Sequence, residues 1–154
     1  MSSDSVAEQI RDMIEENWAL TGELRAHKME FSVGWFNAKV PDKHQVTVRH
    51  SFAGPMKYFG ATADNVHLTM MNHSRYVVNC WLIVRRGEPG DEAEDLIEAM
   101  RREVVQILNT NRTCFVPPVG LVIPLDFGRA LHEWDRTPRI LRYEITVLAN
   151  YFSA

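Results

Sequence analysis

Apolar side chains recur at helical spacing in two parts of the chain. In residues 5–18 they form a single stripe, which predicts a helix with one buried face. The stripe consists of Val6, Ile10, Met13, Ile14 and Trp18. Ser5 and Glu8 fit a capping box, in which each side chain accepts a hydrogen bond from a backbone N–H that the helix leaves unpaired. Gly22 is a candidate end for this helix.

A second helix is predicted over residues 91–108, directly after the turn formed by residues 87–90. Its apolar stripe consists of Ala93, Leu96, Ile97, Met100, Val104, Ile107 and Leu108. Acidic side chains crowd the first turns, where they interact favourably with the helix dipole. Glu98 and Arg102 are spaced for an ion pair on the outer surface of the helix. The stripe is therefore predicted to pack on a sheet, against Val78, Leu82 and the last strand.

Alternating apolar and polar side chains predict strands at residues 45–52, 75–86 and 139–152. In the last of these the apolar face holds Leu141, Tyr143, Ile145, Val147, Ala149 and Tyr151. Its polar face holds Arg142, Glu144, Thr146 and Asn150. Shorter strand candidates lie at residues 31–36, 66–71 and 119–127, with irregular structure as the alternative for 31–36. Residues 56–64 are predicted to be a loop. Pro124 makes the segment 119–127 an edge strand or a broken one, because proline donates no hydrogen bond to a sheet.

The order of these elements predicts the fold class. Strands that cluster along the chain with only two helices indicate an α+β fold. We expect an antiparallel or mixed sheet of about four to five strands, with two helices packed on one face. The chain has 154 residues, the size of one domain, so residues 1–154 are predicted to form a single α+β domain.

Composition and charge exclude several classes of function. Seventeen basic and twenty acidic side chains give a net charge of −3, whereas a sequence-specific nucleic-acid binder needs a basic excess. The first ten residues lack the basic and apolar regions of a signal peptide, and no apolar run approaches the roughly 20 residues that span a bilayer. We therefore expect no membrane partner and a soluble chain made in a cytoplasm. Cys80 and Cys114 are expected to be free thiols there.

No segment of the sequence has the pattern of a catalytic or metal site. His67, His73 and Cys80 are separated by five and six residues, which matches no common zinc spacing. The His-Glu-Trp-Asp segment at 132–135 lacks the second histidine of a helical zinc site. The Gly-Glu-Pro-Gly turn at 87–90 lacks the glycine spacing and terminal Lys-Ser/Thr of a phosphate loop. The sequence therefore predicts no enzyme activity, no cofactor and no bound metal.

The polar face of the last strand is a candidate interaction surface. A strand with a row of mixed charges on one face is covered either by water or by a partner, and the pattern leaves both possibilities open. The residues predicted to lie at an interface are Arg142, Glu144, Thr146 and Arg86. Two long strands with few protective charges also favour association through sheet edges.

The succession of elements resembles the tail-terminator or tail-completion proteins of tailed viruses and phages. The resemblance is carried by a helix at 5–18, strands at 45–52 and 76–86, a helix at 91–108 and a closing strand at 139–152. It implies a small α+β virion protein that forms a homohexameric ring, caps the tail tube and joins it to the neck. The implied partners are other copies of the chain, a tail-tube protein and a neck or connector protein. The implied location is the tail–neck junction of the virion, after assembly in the host cytoplasm.

Two other classes of function remain open at this point. One is a small cytoplasmic α+β enzyme or ligand-binding domain, in which polar side chains such as His50, His67 and Tyr143 would converge in a pocket. The other is a cellular protein-interaction module. The native mass distinguishes the virion protein from the enzyme, because a ring of identical subunits favours the virion protein and a monomer or dimer with a pocket favours the enzyme.

Overall fold

Two helices cover one face of a mixed sheet in the computed structural model, which describes residues 3–53, 57–59, 69–84, 90–116, 119–133 and 139–153. The helices are α1, Ser3–Glu16, and α2, Gly90–Thr110. The strands are β1, Met29–Val33; β2, His44–Ala53; β3, Lys57–Phe59; β4, Thr69–Val84; β5, Val119–Glu133; and β6, Arg139–Ser153. Two short 3-10 turns, Gly22–Leu24 and Ala26–Lys28, lie between α1 and β1.

The strand order across the sheet is β1-β2-β4-β6-β5, with the short β3 paired to β4 away from this path. β1 runs parallel to β2, and the other pairs are antiparallel. The prediction of an α+β fold with a mixed sheet and two helices on one face is confirmed. No helix in the described ranges combines the length and the apolar character that crossing a membrane requires.

The main core lies between the helices and what we call the inner face of the sheet. α1 contributes Val6, Ile10 and Ile14, and α2 contributes a stripe centred on Met100 and Val104. From β4 the inner face receives every second side chain, namely Tyr76, Val78, Cys80, Leu82 and Val84. From β6 it receives Leu141, Ile145, Val147 and Ala149. The period of the apolar positions thus assigned the inward-facing residues correctly in the described parts of both helices and both long strands. The side chain of Tyr151 lies outside the described residues.

The first helix begins and ends earlier than its sequence pattern predicted. α1 starts at Ser3, so Ser5, predicted to precede the helix as its cap, lies inside the first turn. The helix ends at Glu16, and Gly22 instead starts a 3-10 turn with a positive φ of 68°. Trp18 stays buried beyond the helix because its indole Nε1 donates to the carbonyl oxygen of Leu24 at 2.6 Å. The stripe of buried apolar residues therefore extends to Trp18, beyond the end of the helix at Glu16.

Two predicted strands are in fact one. The segments 66–71 and 75–86 are joined in β4, because the polar residues between them pair with β6 through the backbone. Backbone pairing does not depend on the polarity of the side chains, so the polar interruption leaves the strand intact. Residues 56–64, predicted to be a loop, include the short strand β3. The start of segment 66–71 and the end of 75–86 lie outside the described residues.

β5 is an edge strand, as Pro124 predicted, but it continues to Glu133, six residues beyond the end of the predicted segment 119–127. Its pairing with β6 shifts register twice, between Val119 and Leu121 and between Leu125 and Arg129. Such irregularities bend a strand and increase its twist. Residues 134–138, between β5 and β6, lie outside the described residues.

Candidate interaction surface

The face of the sheet opposite the helices, here called the outer face, carries the polar positions of the central strands. Strand pairing aligns these positions in rows across β2, β4 and β6. The rows are Arg49, Val77 and Thr146; Thr47, Asn79 and Glu144; and Gln45, Trp81 and Arg142. Polar and charged groups dominate a surface that nevertheless contains one of the largest buried side chains, Trp81. This combination distinguishes the outer face from an ordinary solvated sheet face.

A loop formed by residues 34–43 reaches the outer face and is anchored by one buried side chain, Gln45. The Gln45 Oε1 accepts from the backbone N–H of Asn37 at 2.8 Å. Its Nε2 donates to the carbonyl oxygens of Asn37 and Val40, both at 3.0 Å. At the start of the loop, Gly34 has a φ of 110°, which side chains rarely tolerate, and its N–H donates to Val48 at 2.8 Å. The loop conformation is therefore fixed at both ends by the sheet below it.

This loop places the indole of Trp35 between two arginines. The guanidinium carbon of Arg49 lies 4.9 Å from the centroid of the Trp35 ring, and that of Arg142 lies 5.0 Å from it. Trp35 also contacts Trp81 edge to face, with ring centroids 5.3 Å apart. Cations within about 6 Å of an indole centroid are attracted to the ring face. Even so, half of Trp35 (50%) remains exposed, which makes it a conspicuous aromatic group at the surface.

Trp81 is the buried base of this arrangement. Its Nε1 donates to the Thr47 hydroxyl at 2.8 Å, and its ring contacts Phe36 at a centroid separation of 5.3 Å. The guanidinium carbon of Arg142 lies 5.0 Å from the same ring, and its Nη1 lies 3.5 Å from Glu144 Oε1. Arg142 is thus held by two indoles and by a carboxylate, so its position is well determined.

Asn79 lies at the centre of the outer face and is completely buried. Its Oδ1 and Nδ2 have no hydrogen-bond partner in the structure. A buried amide without partners costs about 1–3 kcal/mol of desolvation. This destabilising contribution lies in the middle of β4, the longest of the described strands.

Replacing Asn79 by leucine should raise the free energy of unfolding by about 1–3 kcal/mol, because the substitution removes buried polar atoms that form no hydrogen bonds. Urea denaturation followed by circular dichroism would measure the change. The matched control is Asn79→Asp, which should destabilise the protein because it buries a charge at the same position. A lower stability for the leucine variant would show that the amide is hydrogen-bonded in solution.

The predicted interface residues lie on this outer face, with one exception. Arg142, Glu144 and Thr146 project from β6 beside Trp81 and Asn79. Their row is half-buried rather than freely solvated, since the side chains of Arg142 and Glu144 are 12% and 20% exposed. The fourth predicted residue, Arg86, lies outside the described residues.

Three side chains that complete the surface were not indicated by the sequence pattern: Trp35, Arg49 and Gln45. Arg49 is one of the polar positions in the alternating segment 45–52, and alternation alone gives such a position no role. Trp35 and Phe36 follow a glycine in a segment without periodicity, and two adjacent aromatic residues there were the available signal. The anchoring role of Gln45 depends on a loop that folds back over the strand, which no local pattern indicates.

Of the polar side chains of the alternative enzyme site, the two that the structure describes, His50 and Tyr143, are not brought together. His50 lies on the inner face against Tyr76, with ring centroids 5.3 Å apart, and Tyr143 lies below Arg101. His50 pairs with Tyr76, which pairs in turn with Val147, four residues from Tyr143. His50 and Tyr143 are therefore about 13 Å apart along the strand direction. His67 lies outside the described residues.

No group of three or more potential metal ligands occurs in the described part of the chain. Of the candidates named from the sequence, His67 and the side chain of His73 lie outside that part. Cys80 is a free thiol in the core, and burial raises its pKa to about 12, so it stays protonated. Cys114 is also free but is exposed. Of the two remaining motifs, residues 87–89 and 134–135 lie outside the described residues, as do the side chains of 132 and 133.

The outer face has the composition of a protein contact. Tryptophan and arginine are the residues most enriched where binding energy concentrates in interfaces. Here they occur together, with a half-exposed indole above a rigid base. No protein-family model matches the chain, and no curated protein matches its sequence.

Proposed function

We propose that this chain is a structural virion protein, one subunit of a homo-oligomeric ring that caps a tail tube and joins it to the neck. The observation that carries the proposal is the outer face, where Trp35 stands half-exposed between Arg49 and Arg142. Such a surface gains free energy when a second protein covers it. A ring subunit needs surfaces of this kind, because each copy contacts two neighbours.

The architecture also supports the proposal. The resemblance to tail terminators implied a small α+β domain with helices packed against a sheet, and the fold has that form. The element order that carried the resemblance is retained from α1 through α2 to β6. A fold alone does not establish function, so this agreement adds to the argument from the surface without replacing it.

The sheet edges offer further surfaces for assembly. Within the described strands, β1 and β5 lie at the two ends of the sheet and each pairs along one side. Unpaired edges promote association unless they are covered, and Pro124 protects only part of β5. In a closed ring, neighbouring subunits cover such edges without leaving a free end.

The partners follow from this location. One side of the ring contacts the tail-tube protein and the other contacts a neck or connector protein, with charged side chains setting the orientation. The protein functions in the virion at the tail–neck junction after assembly in the host cytoplasm. It works by assembly rather than by catalysis, without a cofactor, and without reading a nucleic-acid sequence.

The protein should be present in purified virions at about six copies per particle, the number of a hexameric ring. Quantitative mass spectrometry of purified particles would measure the copy number, and gold-labelled antibodies would locate the protein at the junction of neck and tube. Absence from purified particles, or a gene distant from any cluster of virion genes, would overturn the proposed function.

A further inference from the structure

The charge of the chain is divided unevenly between its two layers. The helices carry eleven acidic side chains, five in α1 and six in α2, against three arginines. The whole chain has twenty acidic and seventeen basic side chains. The rest therefore has nine acidic and fourteen basic side chains, a surplus of five positive charges. The helical layer is acidic and the remainder of the chain is basic.

Apart from Asp12, the exposed acidic side chains in the described part of the helices form what we call the acidic layer: Glu8, Glu15, Glu16, Glu92, Glu94 and Asp95. The arginines of the helices are engaged with other carboxylates. Arg11 pairs with Asp12 at 2.9 Å, and Arg101 and Arg102 both bond Glu98. The hydrogen bond from Arg101 is the main reason that the pKa of Glu98 falls to about 2. These arginines are held away from the acidic layer, which keeps its negative charge.

The outer face is the natural complement of this layer. Arg75 is exposed on this face. The Nε of Arg49 is buried without a hydrogen-bond partner, and the guanidinium of Arg49 packs on the ring of Trp35. Among the side chains that the structure describes in the strands, the acidic ones on this face are Glu30 and Glu144, and Glu144 pairs with Arg142. The loop of residues 34–43 adds two exposed lysines and one exposed aspartate.

We infer that the outer face of one copy docks on the acidic layer of a second copy. Carboxylates of the acidic layer would approach Arg49 and Arg75 from outside, and Trp35 would pack on the helix surface between them. The inference rests on the proposed function for the expectation of a ring, and it names the two surfaces that meet. A contact between different surfaces repeats head to tail, closing into a ring when the rotation per copy permits and forming a filament otherwise.

A charge-swap experiment tests the contact. One variant carries Glu94→Lys and Asp95→Lys, which makes its helical layer less acidic. The other carries Arg49→Glu and Arg75→Glu, with Arg75→Glu alone as a second version because that side chain is exposed. Arg142 is unsuitable for reversal, since it packs against both indoles. The control is Arg112→Glu, the same charge change at an exposed residue outside both surfaces.

Sedimentation velocity measures assembly at ionic strengths from about 0.01 M to about 1 M, over which the Debye length falls from about 30 Å to about 3 Å. We expect the wild-type chain to assemble at low ionic strength and each charge-swap variant to remain monomeric there. An equimolar mixture of the two variants should assemble again. In alternating copies, one contact keeps the wild-type charges and the next brings the introduced glutamates to the introduced lysines. Trp35→Ala should weaken assembly about tenfold or more.

The inference is overturned if the mixture stays monomeric, if the variants assemble as the wild type does, or if the wild type is monomeric at about 1 mM. Equal loss of assembly in the Arg112→Glu control would also overturn it, since net charge alone would then explain the result. Restored assembly together with absence from virions would retain the contact and reject the proposed function. Presence in virions without restored assembly would retain the proposed function and reject the contact.

Discussion

Replacing Trp81 by alanine should lower the free energy of unfolding by about 3–5 kcal/mol, the range for removing a buried tryptophan. The indole is completely buried in the outer face and supports the rings of Trp35 and Phe36. Its loss creates a cavity and removes the donor that the Thr47 hydroxyl accepts from. The loop above would lose the surface on which its two aromatic side chains pack.

Chemical denaturation followed by circular dichroism measures this loss, and Trp35→Ala is the matched control. Trp35 contacts the same cluster but is half-exposed, so its removal should cost less than half as much. Similar costs for the two substitutions would contradict the assignment of Trp81 as the base of the outer face. A Trp81→Phe variant separates the two contributions, because it keeps a ring and removes the hydrogen bond to Thr47.

Ile97→Ala should cost about 2–5 kcal/mol, because the side chain is buried between α2 and the inner face of the sheet. The sequence pattern predicted the same cost for Leu96, its neighbour in the apolar stripe. The structure leaves Leu96 only partly buried at the margin of the core, so Leu96→Ala should cost clearly less. A loss below about 0.5 kcal/mol at both positions would mean that another face of α2 packs on the sheet.

The regular parts of this fold could be predicted because their side chains repeat with a period. α2 is predicted to within two residues at either end, since its apolar stripe is long and its acidic first turns mark the start. β4 was divided at residues 72–74 because polar side chains interrupt its pattern, although the backbone pairing with β6 continues through them. Side-chain patterns report burial, and burial and strand pairing are different properties.

The outer face could be predicted only in part for the same reason. Alternation placed Arg142, Glu144 and Thr146 on a common face, and the structure agrees. Their partial burial arises from surroundings that lie far away in the sequence, including the loop that carries Trp35. That loop is positioned by Gln45 through hydrogen bonds to the backbone, which leave no periodic signal.

The long pairing of β4 with β6 limits how the length of this chain can change. Fifteen residue pairs follow one another from Met70 with Ser153 to Val84 with Arg139, without a shift in register. One inserted or deleted residue within either strand would exchange the inner and outer faces on one side of the change. It would turn Asn79 toward the helices and Cys80 toward the loop. Differences in length among relatives of this chain are therefore tolerable where the ladder is already irregular, in β5 and near the end of β2, whereas β4 and β6 keep their spacing.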